Sequence, residues 1–381
     1  MTFFDELQHY RYEDVLAEIL AKNSEDVQRA LSKRPLSKRP LLLNRLQIDD
    51  FMALLSPAAG PFVEQMALKA HRITQQRFGS IILMYAPLYL SNFCTNGCRY
   101  CGFNATNKVR RCILTLDEIE QEAAIVHNRG FRHILLVTGE APQIAGNDYL
   151  VRAIAPLRSL FSSISIEVYP MDESGYRRMA AAGVDGLTIY QETYDLKLYA
   201  AMHPFGRKSD FAFRLKAPEC GGTAGFRRIG IGALLGLGHF RAEGFFTGLH
   251  ALYLSRRYWR SHISVSLPRM RPSEGGFAPL NPVSDVEFVQ LICALRLLLP
   301  DAGIALSTRE SASLRDNLLP LGVTQMSAGS CTSPGGYANP DESTRQFDIS
   351  DERTPAEVER MIRSKGYEAV WKDWDRGFHD A

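Results

Sequence analysis

From Ser80 onward, apolar residues fall in short runs separated by amphipathic stretches of a dozen or more residues. This alternation predicts parallel strands joined by crossover helices. The apolar runs lie at 81–90, 133–138, 163–169, 186–190, 229–234, 263–267, 304–307 and 323–327, eight in all. Between them, 115–129, 172–182, 244–257 and 285–299 carry apolar residues at three- and four-residue intervals, the spacing of one helix face. Before Ser80 only helical spacing is found, at 13–21, 24–31, 49–55 and 60–78. Eight strands close one barrel. The prediction is an α/β fold, a TIM-type (β/α)8 barrel at 76–330, with an N-terminal helical extension at 1–75 and a C-terminal capping segment at 331–381.

An open doubly wound sheet produces the same alternation, and the placement of polar residues decides between the two. Thr138-Gly139-Glu140 ends the second run, Glu167 lies late in the third, and Tyr190-Gln191-Glu192 ends the fourth. Pro268-Arg269, Thr308-Arg309-Glu310 and Ser327-Ala328-Gly329-Ser330 end the sixth, seventh and eighth. Polar groups gathered at strand C-termini are the rim of a barrel active site.

The loop after the first run carries the sharpest chemistry: Cys94, Cys98 and Cys101 form a C-x3-C-x2-C triplet. Three thiolates at this spacing can bind three irons of a cubane cluster and leave the fourth open. A structural zinc site needs four ligands, commonly two separated pairs, and no second pair is present. Cys112, Cys220, Cys293 and Cys331 are scattered and read as small buried hydrophobes.

Composition narrows the partners. With 44 basic and 42 acidic residues, a formal charge of +2 gives no general attraction to nucleic acid or to a membrane. The start, MTFFDELQHYRYEDV, lacks the basic and apolar regions of a signal peptide, and no run reaches the roughly 18 apolar residues of a membrane span, so the chain reads as cytoplasmic. LSKRP occurs twice, at 31–35 and 36–40, too short a unit for a repeat fold and read as a solvated loop. Gly230, Gly232, Gly236 and Gly238 do not form the dinucleotide-binding G-x-G-x-x-G pattern; close strand packing and adenosine contact are both open.

Beyond the triplet stand PLYLSNFC at 87–94, CGF at 101–103, TGE at 138–140, YQETY at 190–194, MHPFGRKSDF at 202–211, IGIGALLGL at 229–237, PRMRP at 268–272, LSTRE at 306–310, SAGS at 327–330 and PGGY at 334–337. With these, the chain resembles the radical S-adenosylmethionine (SAM) enzymes and, among them, the tyrosine lyases of bacterial thiazole biosynthesis, the 2-iminoacetate synthases. The resemblance covers nearly the whole chain. It implies a 4Fe-4S cluster on Cys94, Cys98 and Cys101, SAM chelated at the open iron, and a 5'-deoxyadenosyl radical. The implied reaction splits the Cα–Cβ bond of L-tyrosine into 2-iminoacetate and p-cresol. Thiazole synthase and an electron donor such as flavodoxin are the implied partners.

On the same resemblance, Glu140 after Gly139 accepts from the SAM amino group, Glu167 receives the ribose hydroxyls, and Tyr100 and Phe103 pack near the adenine. Tyr190, Glu192 and Arg269 stand with the cofactor-side residues, although Arg269 and Arg271 could equally brace the rim. Arg309 would fix the substrate carboxylate, with Ser327 and Tyr89 flanking it. Taken singly, these residues have duller readings, as strand-end ion pairs, turn formers and core. Glu192, His203 and Lys208 are the candidates to take the phenol proton.

Glu219-Cys220-Gly221 departs from the Asp-Arg that relatives carry, leaving a helix at 217–225 open. A hydrogenase-maturing tyrosine lyase would carry cysteines in a further C-terminal region, and none follows Cys331. A tryptophan lyase would use the same carboxylate anchor. An iron–sulfur carrier and a zinc-stabilised binding protein are the non-enzymatic rivals; a carrier's cluster normally has four cysteines.

Overall fold

The computed structural model describes residues 2–33, 45–373 and 375. All eight expected runs form strands: β1 (Ile81–Ser91), β2 (His133–Thr138), β3 (Ser163–Glu167), β4 (Gly186–Glu192), β5 (Arg228–Ala233), β6 (His262–Val265), β7 (Gly303–Leu306) and β8 (Gln325–Ser327). Each pairs in parallel with the next, and β1 pairs with both β8 and β2, which closes the barrel. β4 runs two residues beyond its apolar run because its register shifts between Tyr190 and Glu192. There Glu192 takes φ 72°, the one positive φ outside glycine among the described residues. A bulge that forces a carboxylate residue into the left-handed region re-aims its side chain.

The crossover helices begin where the sequence places caps. Thr115 and Glu118 form a capping box at Leu116–Asn128, as do Ser284 and Glu287 at Asp285–Leu298. The helix expected over 60–78 divides, because Pro57 and Pro61 hold a 3-10 turn at Pro57–Phe62 before the α-helix Val63–Phe78. Segment 217–225 falls mostly inside the helix Phe211–Thr223. Its departing residue, Glu219, accepts hydrogen bonds from Phe3 N (3.0 Å) and Tyr253 Oη (2.8 Å), fastening the N-terminal helix Phe3–Leu7 to the barrel wall. Of the first LSKRP copy, Leu31 and Ser32 end the helix Ser24–Ser32, with Leu31 buried, and so are not part of a solvated loop; residues 34–35 and the second copy lie outside the described residues.

The C-terminal segment does more than cap. After β8 it crosses the barrel mouth, then the helix Pro355–Ser364 leads to a ninth strand, β9 (Glu368–Val370), parallel to β1 at Ile81–Leu83. Trp371 then packs on Phe131 and Asp373 meets His133 (3.0 Å) and Arg228, the first residues of β2 and β5. One segment thus reaches both ends of the barrel. No described helix is long and apolar enough to cross a membrane. Of the four scattered cysteines only Cys293 is fully buried; Cys112, Cys220 and Cys331 keep partial exposure, and all are free thiols.

The glycines of β5 serve close strand packing. A Cβ on Gly232 would overlap the carbonyl oxygen of Ser266, whereas one on Gly230 would meet Thr188 Oγ1 at 3.0 Å. Farther out, Glu243 is fully buried and accepts from Thr193 Oγ1, Tyr194 N (3.0 Å) and Tyr12 Oη (3.1 Å), so it ties the N-terminal extension to the helix Phe240–Arg257. Burial lifts its carboxyl from the ordinary 4.5 to about 7, despite those donors.

This packing can be tested by substitution. Gly232→Ala, which must push backbone aside, should lower stability by about 2 kcal/mol or more in urea unfolding, and Gly230→Ala by clearly less. For Glu243 the folded state holds its proton more tightly than the unfolded chain, so its contribution is fully present below pH 4.5 and is lost as pH rises to about 7. Glu243→Gln should flatten that slope by roughly 3 kcal/mol at most, read from urea midpoints between pH 4 and 8.

Candidate active site

The loop from Phe93 to Asn104 has little regular structure, so neighbouring segments must satisfy its backbone. Thr95 N donates to Glu140 O after β2 (2.9 Å), Gly97 N and Arg99 N to Phe205 O and Met202 O (both 3.1 Å), and Gly102 N to Gln346 O (3.2 Å). Three separate stretches therefore fix the Cys loop. Gly139 allows the end of β2 to press against this loop, since a Cβ there would overlap Phe93 O. Cys98 is buried, while Cys94 and Cys101 keep partial exposure.

At the C-terminal mouth a cavity of about 130 Å³ is lined by Cys101, Tyr89, Tyr100, Glu167, Tyr190, Glu192, Arg309 and Ser327, all singled out from sequence. Phe103, Glu140 and Arg269 do not line it. Phe103 is buried edge-on against Tyr89, with ring centres 6.0 Å apart. Arg269 is held by Glu310, by Asp285 (2.7 Å) and by Val283 O (3.0 Å), the bracing arrangement that its position left open. The sequence reading missed Tyr85, which lies in register with Ser327, and Gln346 and Phe347 from the C-terminal segment, all on the cavity wall. No motif spacing marked them. A second, more open cavity of about 530 Å³ lies between the loops after β2 and β3, and none of the candidate residues lines it.

Charges in the mouth are arranged unequally. Burial opposes ionisation of Glu192, but Lys208 Nζ at 2.7 Å and Arg214 at 3.5 Å outweigh it and hold the carboxyl below its usual range. Glu192 is thus an anion clamped by two cations. Burial lifts Glu167 to about 7, with Arg309 opposing and Glu192 adding to the rise. That carboxyl can gain or lose a proton near neutrality. Burial and the charge of Lys208 push His203 down to about 3, so it is neutral. Its Nδ1 faces Tyr199 O and its Nε2 faces Tyr100 Oη, both at 2.8 Å; a neutral ring with Nδ1–H donating leaves Nε2 to accept from the phenol. His203 therefore positions Tyr100.

Arg309 differs from the other arginines of the rim. Its Cζ lies over the Phe347 ring, 3.4 Å from the ring centre, and it pairs with no carboxylate among the described residues. A guanidinium backed by an aromatic face and free along its edges is suited to a planar carboxylate.

The donor set fits an iron–sulfur cluster. Three thiols stand on one loop, Cys98 buried and Cys94 and Cys101 partly exposed, and side-chain amide nitrogens lie 3.8 Å from Cys94 Sγ and 3.7 Å from Cys101 Sγ, a setting suited to thiolates that each take their own iron. Buried polar atoms without a partner among the described residues stand at the strand ends: Thr138 Oγ1, Glu140 Oε1, both amide atoms of Gln191 and Ser330 Oγ. Each costs about 1–3 kcal/mol while bare, and of these residues Ser330 lies on the cavity wall, where a polar ligand can satisfy it. Glu140 keeps one oxygen free, its other accepting from Asn96 Nδ2 at 2.8 Å.

Comparison with known proteins agrees with this geometry. Residues 88–243 match the model of the radical SAM superfamily, and residues 266–368 that of the biotin and thiamin synthesis associated domain. The chain is 43% identical to the 2-iminoacetate synthase of Escherichia coli K12 over 98% of its own length and 97% of that protein's, and 42% identical to that of Salmonella typhimurium LT2 over the same shares. Among solved structures, HydG, a maturase of the [FeFe]-hydrogenase, superposes with a TM-score of 0.86 at 28% identity, over 97% of this chain and 83% of that one. The chain belongs to the radical SAM superfamily and, within it, to the 2-iminoacetate synthase family.

Proposed function

We propose that this protein cleaves the Cα–Cβ bond of L-tyrosine to 2-iminoacetate and p-cresol, as a lyase of the cytoplasm serving thiazole formation. The observation that carries the reading is a single cavity bounded by Cys101 of the triplet and by Arg309, an arginine without a carboxylate partner among the described residues. Cys94, Cys98 and Cys101 would hold the 4Fe-4S cluster, which with SAM would supply the 5'-deoxyadenosyl radical chemistry for hydrogen-atom abstraction.

The chain's own residues position and shield. Arg309 receives the tyrosine carboxylate by two parallel hydrogen bonds, Phe347 holds the guanidinium plane, and Tyr89 and Ser327 flank the same group. Orientation of this kind is worth roughly 7–11 kcal/mol, and for a radical it also decides which hydrogen is taken. Pro87, Leu135, Val137, Leu234 and Met270 line the remaining wall and limit water. Of the three groups considered for the phenol proton, His203 is occupied by Tyr100, and Lys208 is a cation bound to Glu192. Glu192 faces the cavity but is held as an anion by Lys208 and Arg214, which lowers its basicity, so Glu167, lifted to about 7 on the same wall, is the stronger acceptor.

2-Iminoacetate hydrolyses readily, which favours direct delivery to thiazole synthase, and the cluster needs a one-electron donor such as flavodoxin. Anaerobic turnover with tyrosine, SAM and reductant should yield p-cresol and 5'-deoxyadenosine. Release of indole-derived product from tryptophan instead would overturn the substrate assignment. Arg309→Ala should keep its iron but lose roughly 100-fold in kcat/KM for tyrosine, matching the loss of about 3 kcal/mol of charged hydrogen bonding. Unchanged p-cresol formation in that variant would remove Arg309 from the site.

A further inference from the structure

The two outer thiols of the triplet each lie beside a side-chain amide. Gln346 Nε2 is 3.7 Å from Cys101 Sγ, and Gln346 Oε1 accepts from Tyr89 Oη at 2.8 Å. Asn96 Nδ2 is 3.8 Å from Cys94 Sγ, and Asn96 Oδ1 accepts from Lys208 N at 2.9 Å. A metal-bound thiolate only accepts, so each amide must turn its N–H toward sulfur. The partner on the other end then fixes that orientation: Tyr89 and the backbone of Lys208 both donate to the amide oxygen.

Gln346 is delivered from the C-terminal segment, 245 residues away in sequence from Cys101. Its backbone is pinned on both sides, with Gln346 N donating to Thr332 O (3.0 Å) and Gln346 O accepting from Gly102 N (3.2 Å). The next residue, Phe347, carries the Arg309 guanidinium, and its carbonyl accepts from Thr332 Oγ1 at 2.9 Å. Two consecutive residues thus touch the cluster loop and the substrate anchor.

We propose that Gln346 is a positioning residue that sets the reduction potential of the cluster through its N–H contact to Cys101, with Tyr89 as its clamp and Asn96 as its counterpart at Cys94. One electron arriving from a low-potential donor adds negative charge that the ligand sulfurs share. An N–H dipole aimed at such a sulfur stabilises the reduced form and raises the potential. Tyr89 then has a duty toward the cluster in addition to its place on the cavity wall. The inference rests on the cluster and not on tyrosine as substrate.

The experiment is a redox titration monitored by electron paramagnetic resonance, on full-length protein reconstituted anaerobically, without SAM or tyrosine. Gln346→Met removes the donor at similar volume and should shift the midpoint negative by a factor of about ten in the one-electron equilibrium, ~59 mV. Gln346→Glu, which puts an anion beside the sulfur, should shift it at least as far. Tyr89→Phe, which frees the amide to rotate, should give a smaller shift of the same sign. An unchanged midpoint in iron-replete Gln346 variants would overturn the proposal. So would loss of iron from both of them, since the amide would then be scaffold alone. Absence of tyrosine cleavage in the wild type would leave the titration untouched.

Discussion

Everything at the barrel mouth depends on holding a short, irregular loop in one shape while leaving its thiols available. A loop cannot do this by itself, because its backbone groups have no ladder of their own and buried ones must find partners. Here the partners come from the turn after β2, from Met202 and Phe205 after β4, and from Gln346 in the C-terminal segment. The closed barrel brings these stretches together. An open sheet with the same strands would not place the end of β8 beside the end of β1.

The electrostatics follow from the same enclosure. Burial works against the charges of Glu192, Lys208 and Arg214, and their mutual pairing offsets it. Glu167 and Arg309 have no such direct pairing among the described residues. One titrates near neutrality, and the other keeps a free cationic edge. The division between satisfied and waiting charges separates groups that build the mouth from groups able to meet a ligand. Arg269, with Glu310 and Asp285, belongs to the builders.

The two chain extensions make the barrel rigid from outside. Phe3 and Tyr12 reach into the helical layer through Glu219 and Glu243, and the C-terminal segment seals the opposite end through Trp371 and Asp373. The superposition on a hydrogenase maturase with a TM-score of 0.86 at 28% identity shows that the overall fold survives wide sequence change. Glu219 illustrates how a departing residue can still be structural.

The sequence alone determined the barrel, the eight strands and the thiol triplet, because hydrophobic periodicity and ligand spacing are local properties of the chain. The rim residues Tyr89, Glu167, Glu192, Arg309 and Ser327 were also legible, since strand ends mark the mouth of a barrel. Only the tertiary structure decided which of them are free. That Arg269 is spent on Glu310, that His203 serves Tyr100, and that Gln346 and Phe347 join the cavity depend on contacts between distant segments. The three-residue β9 was equally hidden, because so short a strand has no periodicity to read and exists only through its pairing with β1.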